Sequence, residues 1–233
     1  MPVPSPLGTR PTVAALLTLT AVTGLVDAVS YLRLGRVFVA NMTGNVVFLG
    51  FTADPHSGLS PAAALIAIGG FVLGALAAGR AAHSLASRPG PWLATAFATQ
   101  AVILAWVAVL AGAGVLPYTG HGSYVTIVLL AGTLGLQNGT VRHFGVPDLT
   151  TTVLTLSLTG LAADGRLVGG SGARPLRRLG SIGAMLGGAA AGAALLQTSP
   201  SAVIGIAAAL TALVAVSFSR YGLGRRRGDL DAP

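Results

Sequence analysis

From Thr12 to Phe218 the chain is a succession of apolar runs, and nearly all of its charge sits in the turns between them or after the last one. Several runs approach the roughly 20 residues needed to cross the hydrocarbon core of a bilayer. Only 9% of the residues are charged, against about a quarter in a soluble domain. Such a chain lacks the charge to cover a water-facing surface. It reads as an integral membrane protein of the all-α, polytopic class.

The charge that remains is one-sided. Fourteen arginines and no lysine face six aspartates and no glutamate, for a net charge of +8. Because the arginines lie between and after apolar runs, they read as topology anchors and not as a nucleic-acid surface. No nucleic-acid partner is expected. Cysteine is absent, which removes disulfides, thiolate metal sites and cysteine nucleophiles. The Ala-, Gly- and Arg-rich composition points to a bacterial cytoplasmic (inner) membrane. The apolar N-terminus lacks a small-residue cleavage site after a short core, so it reads as an uncleaved anchor.

In chain order, residues 12–32 form the first span. Thr20, Thr23, Asp27, Ser30 and Tyr31 fall on one helical face of it. Arg33 and Arg36 make a turn. Residues 37–51 are apolar but short, and the group Asn41-Met42-Thr43-Gly44-Asn45 interrupts them. Residues 61–79 follow as a helix with a ridge of small residues, Gly70, Gly74 and Ala78, then residues 92–114 with Gln100 inside. Residues 124–141 end on Gln137-Asn138, and residues 149–161 are short and Thr-rich, with Thr151, Thr152 and Thr155. The helix over 181–197 carries a second ridge, Gly183, Gly187 and Ala191, and residues 202–218 are the last span. A basic tail occupies 220–233, after a single membrane domain.

The order repeats. A shift of 111 lays Gly24-Leu25 on Gly135-Leu136, Asp27 on Asn138 and Asn41 on Thr152; a shift of 112 lays Thr43 on Thr155 and Gly44 on Leu156. A shift of 113 lays Gly70, Gly74 and Ala78 on Gly183, Gly187 and Ala191. The halves are 12–114 and 123–219. The opposing reading is that Gly- and Ala-rich helices always match at some offset. If both short segments span, eight helices result in a parallel repeat, with nine arginines on one side and five on the other. If both re-enter, six spans remain, the repeat is inverted, and twelve arginines face two. The second split obeys the positive-inside rule better, with both termini cytoplasmic. Short interrupted segments at matching positions of two repeats point to a transporter's binding site.

Asp27 leads the chemistry. A carboxylate inside a span costs roughly 2.5–3.5 kcal/mol on insertion scales, so it is read as a proton- or cation-binding coupling group. The other reading is structural: an acceptor for backbone amides of the broken segment, or a partner of Arg33 or Arg142. Asn138 is its neutral counterpart, so the two halves share one titrating group. Tyr31, Asn41, Thr43, Gly44 and Asn45 are expected to line a solute pathway, with Gly44 permitting a helix break. Gln137, Thr151, Thr152 and Thr155 are the second-half equivalents. Interhelical hydrogen bonding is the alternative for all of these. The glycine ridges Gly70, Gly74, Gly183 and Gly187 also offer a surface for a second copy of the chain. The four histidines lack metal-ligand spacing, and no nucleophile elbow, phosphate loop or dinucleotide pattern occurs. No cofactor, metal or enzymatic activity is expected. A transporter of a small solute or ion is the leading reading, ahead of a membrane scaffold or signalling partner, with an intramembrane enzyme third.

The run Gly24-Leu25-Val26-Asp27-Ala28, followed by Phe38-Val39-Ala40-Asn41-Met42-Thr43-Gly44-Asn45, resembles the signature of the YoaK family of bacterial inner-membrane proteins. Gly135-Leu136-Gln137-Asn138 with Thr151-Thr152-Val153 resembles that family's second block, although Thr155-Leu156 stands where a Thr-Gly pair is expected. The resemblance spans roughly residues 13–218. It implies a multi-pass membrane setting and no substrate.

Overall fold

The structure, a computed structural model, describes residues 7, 9–85, 89–143, 154–165 and 175–228, with side chains described up to residue 220. The described residues form helices and no strand. The helices are α1 (Thr9–Arg33), α2 (Met42–Phe51), α3 (Pro61–Leu85), α4 (Pro89–Gly112), α5 (Ser123–His143), α6 (Leu154–Ala163), α7 (Pro175–Leu195) and α8 (Pro200–Gly228). Proline opens α3, α4, α7 and α8, at the position where its missing N–H costs nothing. Ser60 and Ser199 precede two of those prolines, and their hydroxyls accept from the amides of Ala63 and Ala202.

Five helices, α1, α3, α4, α5 and the first 21 residues of α8, are long and apolar enough to cross a membrane. The Gly/Ala-rich α7 is 21 residues long, about 31 Å at 1.5 Å per residue. The short α2 and α6 have ten residues each, half the length a span requires. The spans run further into the basic turns than their apolar cores suggest. The expected basic tail begins inside a helix, since α8 continues to Gly228.

Two apolar clusters give each helix its direction. One joins Leu16 and Leu19 of α1, Ala82 of α3, Phe97 of α4, Val141 of α5 and Phe218 of α8. The other joins Val26 and Val29 of α1, Ala67 of α3, Leu104 of α4, Ile127 of α5, Leu196 beyond α7, and Val203 of α8. Thus α1, α4 and α7 run one way, while α3, α5 and α8 run the other. Arg10, Arg80, Arg142, Arg177 and Arg220 lie at or beyond the end where α1 starts, and Arg33 and Arg36 lie at the opposite end. An eight-span parallel repeat needs α1 and α5 to be parallel. They are antiparallel, which excludes that alternative.

The main contacts pair α1 with α7, α3 with α5, and α4 with α8; α2 packs on α3 and α6 on α7. Glycine makes the first two pairs possible. A Cβ on Gly74 would strike Gly132 O of α5, and one on Gly135 would strike Phe71 O of α3. Across the other pair, a Cβ on Gly188 would strike Ala21 O, and one on Gly192 would meet Leu25 and Ala28. Backbones approach this closely only where side chains are missing. The second ridge therefore lies one residue later than expected. Gly183 and Gly187 are exposed with nothing within 4 Å of a built Cβ, whereas Gly188 and Gly192 are buried. Gly70 and Gly74 are used inside the chain against α5, so of the four ridge glycines only Gly183 and Gly187 offer an open face.

Candidate functional site

The site is built at the end of α1. Helix α1 stops at Arg33, and Gly35 (φ 87°) and Arg36 (φ 57°) turn the chain back. Positive φ is natural for glycine and strained for arginine, a strain that persists only where the surroundings enforce it. An irregular run, residues 37–41, then folds back along α1 to the level of Asp27. Its backbone groups have no helical ladder, so they need other partners. Asp27 supplies two of them. Its Oδ1 accepts from the amides of Val39 and Ala40, both at 3.0 Å. Asn45 supplies two more: its Oδ1 accepts from Phe38 N at 2.9 Å and its Nδ2 donates to Phe38 O at 2.6 Å. One carboxylate and one amide thus fix three consecutive residues of the irregular run.

The other carboxylate oxygen is different. Asp27 is 4% exposed, and Oδ2 is buried with no hydrogen-bond partner. Among the described residues no arginine pairs with it, so the expected alternative of an ion pair with Arg33 or Arg142 is not what holds it. The alternative of backbone amides as partners describes Oδ1, and it leaves Oδ2 unexplained.

Asn41 is the N-cap of α2, its Oδ1 accepting from Gly44 N at 3.2 Å. Gly44 was expected to break a helix. It lies instead in the first turn of an unbroken α2, and the break precedes it, at residues 34–41. A Cβ on Gly44 would come within 2.9 Å of the Phe38 ring, so the missing side chain makes room for that ring. Phe38 stacks on Tyr31 at 4.9 Å and on Phe48 at 5.6 Å, packing the short helix against α1. Tyr31 is half-buried in this cluster and Thr43 is exposed. Of the expected pathway residues in the first half, Asn41, Gly44 and Asn45 are thus engaged in building the segment itself.

In the second half, Asn138 donates to Leu134 O of its own helix at 2.8 Å, and no hydrogen bond joins it to Asp27. Thr155 is exposed on α6, and Thr151 and Thr152 lie outside the described residues. The Arg178 guanidinium packs on Gly160 of α6 and pairs with Asp164 at 2.9 Å.

A buried polar chain crosses the centre. Gln100 Nε2 of α4 donates to Gln137 Oε1 of α5 at 2.8 Å, and Gln137 Nε2 donates to Thr23 Oγ1 of α1 at 3.0 Å. Both glutamines are fully enclosed. Sequence alone marked Gln100 as a lone polar residue and Thr23 as part of the polar face, but not their link through Gln137. The Thr and Ser hydroxyls of that face also bond back to their own helix, Thr20 to Leu16 O, Thr23 to Leu19 O and Ser30 to Asp27 O. Among the cavities lined by described residues, one lies on α3 alone, one between α4 and α8, and one at the Arg33 end, and these do not reach Asp27, Thr43 or Asn138. No cluster of three metal-binding side chains occurs among the described residues.

Comparison with known proteins bears on this geometry. The profile of a family described as "Protein of unknown function (DUF1275)" matches residues 15–217, from within α1 to within α8, including Asp27 and both short helices. The chain belongs to this family. The chain is also 35% identical over 168 residues to the UPF0700 transmembrane protein YoaK of Bacillus subtilis (strain 168), covering 68% of this chain and 69% of the relative. The resemblance read from the Asn-Met-Thr-Gly-Asn block therefore holds, and the protein is a multi-pass membrane member of the DUF1275 family. No solved structure matches it. Family membership brings a membrane setting and no chemistry, so the functional reading rests on the residues just described.

Proposed function

We propose that the protein moves a small solute or ion across the bacterial cytoplasmic membrane, with Asp27 as the coupling group. One observation carries the reading. A carboxylate deep in a span holds the irregular segment 37–41 with one oxygen and has no partner for the other. An unpaired buried carboxylate oxygen is costly, by several kcal/mol when ionised. A proton or small cation on Oδ2 would relieve that cost and weaken the grip of Oδ1 on Val39 and Ala40. Loading and unloading Asp27 would thereby move a segment that sits where two antiparallel helix sets meet. Irregular backbone at membrane depth is tolerated where it is buried in protein or lines a path.

The pairing pattern supports an inverted repeat. Exchanging α1–α4 with α5–α8 turns each main helix pair into another main pair or into itself. The register for the third helices is a shift of 114, which takes Gly74 to Gly188 and Ala78 to Gly192. Opposite halves moving about such an axis are how repeat transporters expose a site alternately. Both termini belong at the arginine-rich end, taken as cytoplasmic. A second reading, a non-transporting scaffold, is favoured by the self-satisfied hydroxyls Thr20 and Ser30, but it assigns nothing to Oδ2. The protein reads as a non-enzyme.

The test is solute uptake and efflux in proteoliposomes, wild type against Asp27→Asn. The asparagine keeps an acceptor for Val39 and Ala40 and cannot be loaded. Solute flux that depends on a pH gradient in the wild type and loses that dependence in the variant is expected. Flux with the same pH dependence in both proteins refutes the coupling role, and no flux across a broad solute panel favours the scaffold.

A further inference from the structure

Along α3 runs a groove of about 690 Å³ whose described lining is α3 itself, from Phe71 to Ser84. Small residues hollow it. Ala75 and Gly79 form its middle, and a Cβ built on Gly79 meets nothing within 4 Å. The exposed side chains of Val72 and Leu76 stand beside them, so this part of the wall is hydrocarbon. Gly70, Gly74 and Ala78, on another face of the helix, are spent on α5. Helix α3 runs towards the arginine-rich end, which sets Phe71 near its middle and Ser84 in its last turn. From Phe71 to Ser84 the helix rises about 20 Å at 1.5 Å per residue. Half a hydrocarbon core of about 30 Å, with its headgroup layer, has the same depth. The groove therefore extends from the bilayer midplane to the headgroups of a single leaflet, the cytoplasmic one by the distribution of arginines.

The headgroup end of the groove is of one sign. Arg80, His83 and Ser84 are spaced i, i+3 and i+4, which puts them on one face, and all three are exposed. The Ser84 hydroxyl turns back to Arg80 O and Ala81 O. The side chains of Arg80 and His83 make no hydrogen bond or ion pair among the described residues. The described acids are engaged elsewhere: Asp54 bonds His56, Asp164 pairs with Arg178, and Asp27 is buried in α1. None lines the groove. A guanidinium is built to hold a phosphate with paired N–H groups. Joined to a hydrocarbon trough one leaflet deep, it calls for an occupant with an apolar chain and an anionic head. The 114-residue correspondence supplies a contrast. It takes Gly79 to Ala193, Arg80 to Ala194 and His83 to Gln197, so the copy on α7, which ends at the opposite face, has neither the open glycine nor the cations.

We propose that this groove holds one anionic phospholipid of the cytoplasmic leaflet. An acyl chain lies over Ala75 and Gly79, and the phosphate is held by Arg80, with the His83 imidazole as a second donor. Basic residues at the cytoplasmic end of membrane helices recognise anionic headgroups in this way. The proposal stands independently of the transport reading. Both α5 and α2 pack on α3, so a lipid seated here steadies the helix that carries them.

The experiment is native mass spectrometry of the purified full-length protein in detergent, titrated with lipid. The probes are phosphatidylglycerol, phosphatidylcholine with the same acyl chains, and glycerol phosphate as a headgroup without chains. Phosphatidylglycerol is expected to bind several-fold more tightly than phosphatidylcholine, and glycerol phosphate far more weakly than either. Arg80→Gln should lower phosphatidylglycerol affinity several-fold and bring the two lipids level. Gly79→Leu, whose side chain enters the groove, should weaken both lipids several-fold. Arg10→Gln is the control, an exposed arginine at the same end of the bundle and outside the groove; it should keep the preference for phosphatidylglycerol. Melting without lipid should place Arg80→Gln at the wild-type temperature, because its side chain bonds to no described residue. Equal binding of the two lipids by the wild type, equal losses in Arg10→Gln and Arg80→Gln, undiminished binding in Gly79→Leu, or glycerol phosphate binding as tightly as the lipid overturns the proposal. So does a lowered lipid-free melting temperature in Arg80→Gln with the lipid preference intact, which would give Arg80 a structural role instead.

Discussion

Two neighbouring glycines on α7 should respond to the same substitution with opposite signs. Gly188 faces α1, where a Cβ would collide with the Ala21 carbonyl oxygen and approach the Ala21 Cα to 2.9 Å. The obstacle is backbone, which cannot swing aside as a side chain does. Gly188→Ala therefore forces α1 and α7 apart, and overpacking of this kind costs about 1–3 kcal/mol or more. Gly187, one residue earlier, has nothing within 4 Å. There alanine only removes the conformational freedom of glycine from a helix, a gain of about 0.5–1 kcal/mol. The two variants should differ by roughly 2–4 kcal/mol. At about 2–4 °C per kcal/mol for a chain of this size, that separation is measurable by circular dichroism melting in detergent. Gly188→Ala should melt well below wild type and Gly187→Ala at or slightly above it. A Gly187→Ala variant as damaged as Gly188→Ala would refute the register of the α1–α7 interface, and with it the 114-residue correspondence between halves.

Three further outcomes follow from the same contacts. Asp27→Ala leaves the buried amides of Val39 and Ala40 without an acceptor, at about 1–3 kcal/mol each, so it should melt below Asp27→Asn in the same assay. Gln137→Leu strands the Gln100 amide, while Thr23 keeps its bond to Leu19 O, and should cost about 1–3 kcal/mol. In a double-mutant cycle, adding Gln100→Leu should cost less than it does alone, because the two share one hydrogen bond. Single cysteines in the naturally cysteine-free chain test direction. Arg10→Cys and Arg220→Cys should label from one side of sealed vesicles and Arg36→Cys from the other, and labelling of positions 10 and 220 from opposite sides would contradict the antiparallel arrangement of α1 and α8.

Much of this architecture was legible before folding. Length and apolarity mark the spans, because a bilayer accepts only runs long enough to cross it and poor enough in charge to stay there. The short segment after Arg36 was recognisable for the same reason, since ten helical residues cannot reach across. The direction of the structural alternative for Asp27, an acceptor for amides of the irregular segment, was also visible. A fold-back beside a buried acid leaves few other partners. The roles within the Asn41–Asn45 block were not legible. Capping by Asn41, the clamp of Asn45 on Phe38 and the ring over Gly44 depend on which way a five-residue run turns, and residue types alone do not fix that.

The sequence by itself determined a multi-pass helical membrane protein with two short segments and one isolated intramembrane acid that leads the candidate chemistry. These are one-dimensional facts about run length and charge, and hydrophobic burial in lipid enforces them residue by residue. Only the tertiary structure decided which glycines touch, shifting the second ridge from Gly183 and Gly187 to Gly188 and Gly192. It alone joined Gln100, Gln137 and Thr23 across three helices, and it left one oxygen of Asp27 buried without a partner. Contacts between helices depend on rotation about each axis by a fraction of a turn. In a chain this rich in small residues, several rotations look alike until the backbones meet.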